Sequence, residues 1–581
     1  MTKSAIMIEK SCDLLCIGAG GAGVTAAITA SDKGADVILL SKDHIGYGNT
    51  RIIGGVIAYG DNDTSRQEDF LRDMVVGGDY LNNQQFCRLL AQEVGNATVL
   101  LERYGGMVRR DSKGTISPEV MLQIGGHTSP RTLLLPSTGP GVGQGLRYGV
   151  AQRKNIKTLE KAIVFDLLRE GGKVLGAVCY QLSTGDIIVI KAKKTLLATG
   201  GGGWLYYPHT DTSRVSTGDG FALALDAGAE LVDMEQVQYI PFSLTHPSGM
   251  VGVAVGEPFT AGPAGTLKNV HGKEILSGVA LKTRAQVANA IILEAAKGNG
   301  TKYGGCLLDI KANKDHPQGK ILYRHYTEGI FKPLNDLVRV AYGPTAAEWE
   351  EPWDVYPTAH YFMGGIVVNE WGEVKGVENL YACGETTGGL HGGNRLGSVS
   401  MAELFIFGKR AGERAAGAIT GRDSAQADKS LIDFQVQSLR GMIGRRGRHR
   451  VIELKRKLQK TMWEKVGPAR EEKKLKEGLE IFSSLEEDFK DITIPETNRY
   501  NTELLDALEL RAMLPVAKSV ALSAMARKES RGAHIRLDYP ERDDRHWLKN
   551  IVVKREVTAG IAVDSRPVEL TYFHPDGVVR S

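Results

Sequence analysis

Residues 12–34 read CDLLCI, GAGGAG, VTAAITASDKG, and the three parts call for three different structures. CDLLCI (12–17) is a short apolar run, the pattern of a buried strand. Gly18-Ala19-Gly20-Gly21-Ala22-Gly23 is a glycine-rich turn, and the run after it is helical and stops at Gly34. Val37–Leu40 is a second apolar strand, which closes a βαβ unit. A lone GxGxxG is a weak signal. Between a strand and a helix it has the context that a dinucleotide site needs. The first glycine makes the turn, the second admits a pyrophosphate, and the third lets helix pack on strand. The helix N-terminus then turns its free N–H groups toward the phosphates. The second strand ends in Ser41-Lys42 instead of the acidic residue that binds a ribose, so nothing here selects NAD.

Outward from this unit, residues 60–195 mix amphipathic helices with short strands at Lys173–Tyr180 and Ile187–Lys191. A further strand, Thr195–Ala198, runs into Thr199 and the glycines 200–203. Motifs thin out over 242–355, as in an inserted domain, and return from Pro357 to Met401 before a helix at Ala402–Ile419. After 425 the chain is charged and helical.

Composition sets the bounds. The chain has 581 residues and 70 glycines, well above the ~7% usual for proteins, but only 20 prolines. The excess needs a local cause: tight turns, or backbone lying close to a ligand. A net charge of +4 gives no argument for nucleic acid. Cysteines 12, 16, 87, 179, 306 and 383 form no CxxC pair and no zinc spacing, so no metal is expected and a reducing cytoplasm is the natural reading. No run reaches the ~18 apolar residues of a membrane span, and the N-terminus carries no signal pattern.

Beyond GAGGAG, the segments GNTRIIGG (48–55), ATGGGGWLY (198–206), STGDGFALALDAGAELVDME (216–235) and PTAHYFMGGIVVN (357–369) follow in order. ENLYACGETTGGLHGGNRLGSVSMAELFIFGKRAG (378–412) and ESRGAHIRLDYPERDD (529–544) complete the set. Together they resemble the flavoprotein subunits of fumarate reductase and succinate dehydrogenase. The resemblance implies an α/β fold: a Rossmann-like FAD-binding domain (1–241 and 356–424) split by an α+β capping domain (242–355). A helical domain (425–540) and a C-terminal extension (541–581) would follow. It implies FAD contacts at Gly18 to Gly23, Ser41, Lys42, Asn49, Thr50, Gly54, Gly55, Asp219, Glu385, Arg395, Ser400 and Met401. Membrane-bound members attach FAD to a histidine in the first flavin segment. This chain has Gly48-Asn49-Thr50-Arg51 there, and His44 lies too early, so the FAD is expected to be non-covalent.

The same likeness picks out a catalytic set. Arg395 in HGGNRLGS matches the arginine that clamps a substrate carboxylate, which a guanidinium fork fits with two charge-assisted hydrogen bonds. His360 matches the substrate-binding histidine, and Arg284 the arginine that exchanges a proton with substrate carbon. Arginine is a poor free acid and needs a carboxylate relay, for which Glu257 is the candidate, supported by its spacing to Asn269. Two departures stand out. The family's Gln-Phe-His-Pro is Gln238-Tyr239-Ile240-Pro241 here, and Gly256 replaces the threonine before the glutamate. His246 is a candidate to fold back into the gap.

The expected activity is hydride transfer across a carbon–carbon bond beside a carboxylate, on a substrate other than plain succinate or fumarate. An iron–sulfur subunit is the expected electron partner, with any membrane contact made through partners. L-aspartate oxidase (GGHTSPR, 125–131, is faintly similar), adenylylsulfate reductase and a pure electron-transfer subunit stay open. The cluster Arg445-Arg446-Gly447-Arg448-His449-Arg450 reads as a solvated helix face, with an acidic partner or a phosphorylated substrate as alternatives.

Overall fold

The computed structural model describes residues 6–52, 54–61, 63–421, 425–556 and 560–577. Ile53, within the first flavin segment, and residues 422–424, at the expected domain boundary, lie outside the described residues. The βαβ unit consists of β1 (Met7–Ile17), α1 (Gly21–Asp32) and β2 (Val37–Leu40). β1 starts before Cys12 because Met7–Cys12 pair in parallel with β3 (Asp186–Leu197). β3 also corrects the sequence reading: the two short strands expected at 187–191 and 195–198 are one continuous strand, paired with β1 along its length. The seven-stranded sheet runs Ile156–Leu159, β2, β1, β3, Lys173–Gln181, Ala162–Glu170, with Leu380–Ala382 parallel to β3. The sequence leaves this sheet and comes back to it after the insertion.

α1 is buried on every side, which its small residues permit. It packs against the helix Val399–Gly417, where a Cβ on Gly412 would lie 2.4 Å from the Ala26 carbonyl oxygen. Part of the glycine excess thus serves helix–helix contact and has no ligand role.

The second large sheet forms the cap. Its two longest strands are β4 (Val237–Leu244) and β5 (Trp353–Phe362), an antiparallel pair flanked by Ala254–Gly256 and Cys306–Asp309. α2 (Arg284–Ala296) packs on this pair and is opened by a capping box between Thr283 and Gln286. The expected cap boundaries, 241/242 and 355/356, fall inside β4 and β5, so both strands run unbroken from core to cap.

The charged tail forms helices Lys429–Arg440, Val451–Val466, Glu472–Phe489 and Thr502–Ala526. Buried ions tie it to the core: Arg527, fully buried, donates to Glu235 at 2.7 Å and to the Lys549 carbonyl at 2.6 Å. After 541 the chain returns to the core, where Lys549–Glu556 pairs with Glu230–Val232. In the basic cluster, Arg448 pairs with Asp491 and Arg450 with Glu503, both at the surface. The arginines are exposed, as expected of solvated charge, but the expected helix face is corrected: the cluster is a loop that ends in the short strand His449–Arg450, paired with Ile492–Thr493.

Candidate active site

The site has a nucleotide end and a reaction end. At the nucleotide end, Gly18 has φ +104°, and a Cβ there would lie 2.2 Å from the Ala198 carbonyl oxygen. A Cβ on Gly23 would sit 2.0 Å from the Gly18 oxygen, so helix and strand meet through bare backbone. Gly20 caps α1 without a side-chain hydrogen bond, and the Gly21 N–H is taken by Thr50 Oγ1 at 3.0 Å. Ala19 accepts from the Gly46 N–H, and Ala22 packs beside Gly384. Asn49 Nδ2 donates to Glu385 at 3.0 Å, and the Phe362 N–H donates to the other oxygen. Burial pushes the Glu385 carboxyl up to about 7. Gly54 lies open, and Gly55 abuts Thr138.

At the end of β2, Ser41 Oγ accepts from the Asp43 N–H. Lys42 Nζ lies 2.8 Å from Asp219 and 2.9 Å from Glu509, and Glu509 also holds Lys455. Two predicted residues therefore meet each other, together with a carboxylate from the tail that no motif announced. The fit to FAD is good: a cradle that a Cβ would fill, a helix N-terminus whose N-cap is a bare glycine, and a buried carboxyl for hydroxyl groups.

At the reaction end, β4 and β5 slip register. Gln238 faces Tyr361 and Tyr239 faces Ala359, which leaves His360 as the extra residue of a bulge. Bulges re-aim side chains beside active sites. His360 Nδ1 lies 2.8 Å from Asp211, and Nε2 lies 2.8 Å from Arg395 Nη2. Arg395 is buried, donates to Ser400 Oγ at 2.7 Å and lies 4.5 Å from the Tyr361 ring centroid. Burial, then the charge of Arg284, lowers its pKa to about 10. Ser400, expected at the cofactor, holds the arginine in this arrangement, and Met401 is buried in the helix that follows.

Arg284, at the start of α2, donates to both oxygens of Glu257, from Nε at 2.7 Å and from Nη2. Gln238 joins the two arginines: its Oε1 faces Arg284 Nη1 at 3.4 Å, and its Nε2 donates to the Arg395 carbonyl at 2.8 Å. All four expected catalytic residues thus stand in one connected group. Asn269 is not part of it; its side chain donates to Glu294 at 2.8 Å, which corrects the spacing argument for Glu257. His246 does not fill the gap either, because it stacks in the cap on Tyr303 at 3.9 Å. Ile240 is buried on β4 opposite Thr358. At Gly256 a Cβ would lie 2.6 Å from Thr260 Oγ1, and that hydroxyl already accepts from the Glu257 N–H.

Three side chains were missed from sequence. Asp211 acts through a spatial crossing that no local pattern reveals, whereas Gln238 stands in the Gln-Tyr-Ile-Pro segment that was read only for its missing histidine. His127, in GGHTSPR, lies 3.1 Å from the Gly397 carbonyl, and burial lowers it to about 4, so a neutral ring donates there through Nε2.

A Rossmann-like sheet split by a cap, with paired arginines under it, defines a flavoprotein oxidoreductase. The family model "FAD binding domain" matches residues 13–401, and "Fumarate reductase flavoprotein C-term" matches 455–579. The chain belongs to the fumarate reductase/succinate dehydrogenase flavoprotein family, FAD-dependent oxidoreductases acting on CH–CH bonds. A fumarate reductase (CoM/CoB) subunit from Methanothermobacter marburgensis is 35% identical to it, over 94% of this chain and 97% of that one. An E. coli quinol fumarate reductase flavoprotein variant superposes with a TM-score of 0.88 at 30% identity, covering 98% of each chain. Adenylylsulfate reductase of Archaeoglobus fulgidus shares the fold, with a TM-score of 0.78 at 20% identity over 98% of this chain and 99% of that one.

Proposed function

We propose that this chain moves hydrogen across a carbon–carbon bond beside a carboxylate, with a substrate other than plain fumarate or succinate. The observation that carries this reading is the Arg284–Glu257 pair standing with Arg395 and His360 in one connected group, whose two arginines are buried. Bound FAD supplies the hydride chemistry. Arg395 offers a planar fork to a substrate carboxylate, and His360 adds a hydrogen bond at the same end. Arg284 passes a proton from its guanidinium to the neighbouring carbon, and Glu257 relays a replacement taken up from solvent to Nη2. The pairing with Glu257 and the exclusion of water allow an otherwise poor acid to act.

Ile240 supports the choice of substrate, because it cannot donate to a second carboxylate where the family has a histidine. The FAD is non-covalent in this reading. Electrons pass to or from an iron–sulfur partner, and any membrane contact is made through partners. No helix of the described residues is long and apolar enough to cross a bilayer.

The test is anaerobic reduction of the flavin, then a screen of enoates and fumarate for reoxidation. Fumarate goes first, because the Methanothermobacter relative is named for it. An enoate that reoxidises wild type quickly and Arg395→Ala slowly supports the reading. Equal rates in both proteins would sink the carboxylate clamp.

A further inference from the structure

Asp211 belongs to no motif used above, yet both its oxygens face His360 Nδ1, at 2.8 and 3.0 Å. Its loop is fixed from both sides. Thr210 Oγ1 donates to the Ala359 carbonyl at 2.8 Å, and the Ala359 N–H donates to the His209 carbonyl at 2.9 Å. The His209 ring stacks on Trp463 of the tail, with centroids 4.0 Å apart. Asp211 is therefore held against the bulge that carries His360.

The partners set the tautomer. A carboxylate accepts only, so Nδ1 carries a proton. Arg395 donates only, so Nε2 is a lone pair in this arrangement. A substrate carboxylate bound by Arg395 takes over that donor and leaves the Nε2 lone pair facing an anion. That contact is repulsive unless Nε2 gains a proton. Arg395 and Glu257 are the other charged groups that act on the ring, and Arg284, Glu385 and Tyr361 surround Arg395 behind it. Glu257 is engaged by Arg284, and Glu385 by Asn49 and the Phe362 N–H. Asp211 is the carboxylate in contact with the imidazole.

The geometry points to Asp211 as the positioning residue that makes His360 bind substrate as an imidazolium, so that carboxylate binding takes up one proton at Nε2. This rests on the reading that Arg395 receives a substrate carboxylate. The proton comes from solvent; no bond to carbon forms and no electrons move.

Malonate, a dicarboxylate with no double bond to reduce, is the probe for the FAD-loaded full chain. Calorimetry at about pH 8, in two buffers of different protonation enthalpy, counts the protons, because free imidazole is largely neutral there. Flavin absorbance gives the affinity across pH. Wild type should take up about one proton per malonate, with affinity falling as pH rises. Asp211→Asn should take up less than about half a proton and bind about 10- to 100-fold more weakly, as on losing a charged hydrogen-bond partner. Asp211→Glu should restore both. An aspartate that only braces the fold would weaken binding and leave the proton count unchanged. No uptake in wild type, unchanged uptake in Asp211→Asn, or no malonate binding to wild type overturns the inference. Reoxidation by enoates is read separately: enoate turnover without proton uptake removes this role of Asp211 alone, whereas proton uptake without any enoate turnover removes the redox reading alone.

Discussion

Arg284 and Glu257 lie side by side, with Nε donating to one carboxylate oxygen at 2.7 Å and Nη2 to the other. The fork fixes both planes and leaves Nη1 turned toward Gln238. Burial alone would raise the Glu257 carboxyl, but Arg284, followed by His360 and Arg395, holds it below its ordinary 4.5.

Glu257→Gln keeps the shape and removes the charge. Turnover should fall about 10²- to 10⁴-fold, the range of a lost proton-transfer group, with flavin content unchanged. The sign of the pH dependence follows from the lowered pKa. A depressed carboxylate contributes its full stabilisation above the unfolded value of 4.5 and loses it only as pH falls through the folded value. Wild type should therefore show no Glu257 limb near neutrality. A neutral-pH limb that disappears in Glu257→Gln would contradict this assignment.

Ile240→His restores a donor where the sequence lost one. Reoxidation of the reduced flavin by fumarate should speed up at least about tenfold, since a site with a matching polar partner discriminates strongly. Stopped-flow measurement decides it, and a rate equal to wild type removes Ile240 as the cause of altered specificity.

Glu385 titrates at about 7 in the flavin-free protein because burial disfavours its charge. Between the ordinary 4.5 and about 7 the folded chain holds the extra proton, so stability falls as pH rises through that window. Glu385→Gln should melt higher than wild type at about pH 8 when flavin-free, should not at about pH 4, and should bind FAD more weakly. Parallel melting profiles for the two proteins would refute the shift.

His44, the nearest histidine to the flavin segment, has Nδ1 2.9 Å from Glu160. Acid precipitation should release all the flavin and leave a colourless pellet, and His44→Ala should behave the same way. Yellow colour that stays with the pellet would mean a covalent link.

Much of this was legible because the chemistry sits in local patterns. GAGGAG announced the strand, turn and helix, and Arg395, His360 and Arg284 came with motifs that fix their backbone. What stayed hidden depends on distant chain crossings. The bulge at His360 exists only in the pairing with β4. Asp211 matters because its loop is bonded across to β5. The charged, helical tail gave no sign that Lys455, Arg470 and Arg527 are buried. Thr260 supplies the hydroxyl beside Glu257 from three positions further on, and Gly256 makes room for it.

β4 and β5 carry Gln238, Ile240 and His360 at one end and the sheet of the cap at the other. Because both strands are continuous, any displacement of the cap sheet would be carried straight to the residues at their other end. A substitution meant to loosen the cap would also detune the group that grips the substrate, and evolution could not easily adjust one without the other.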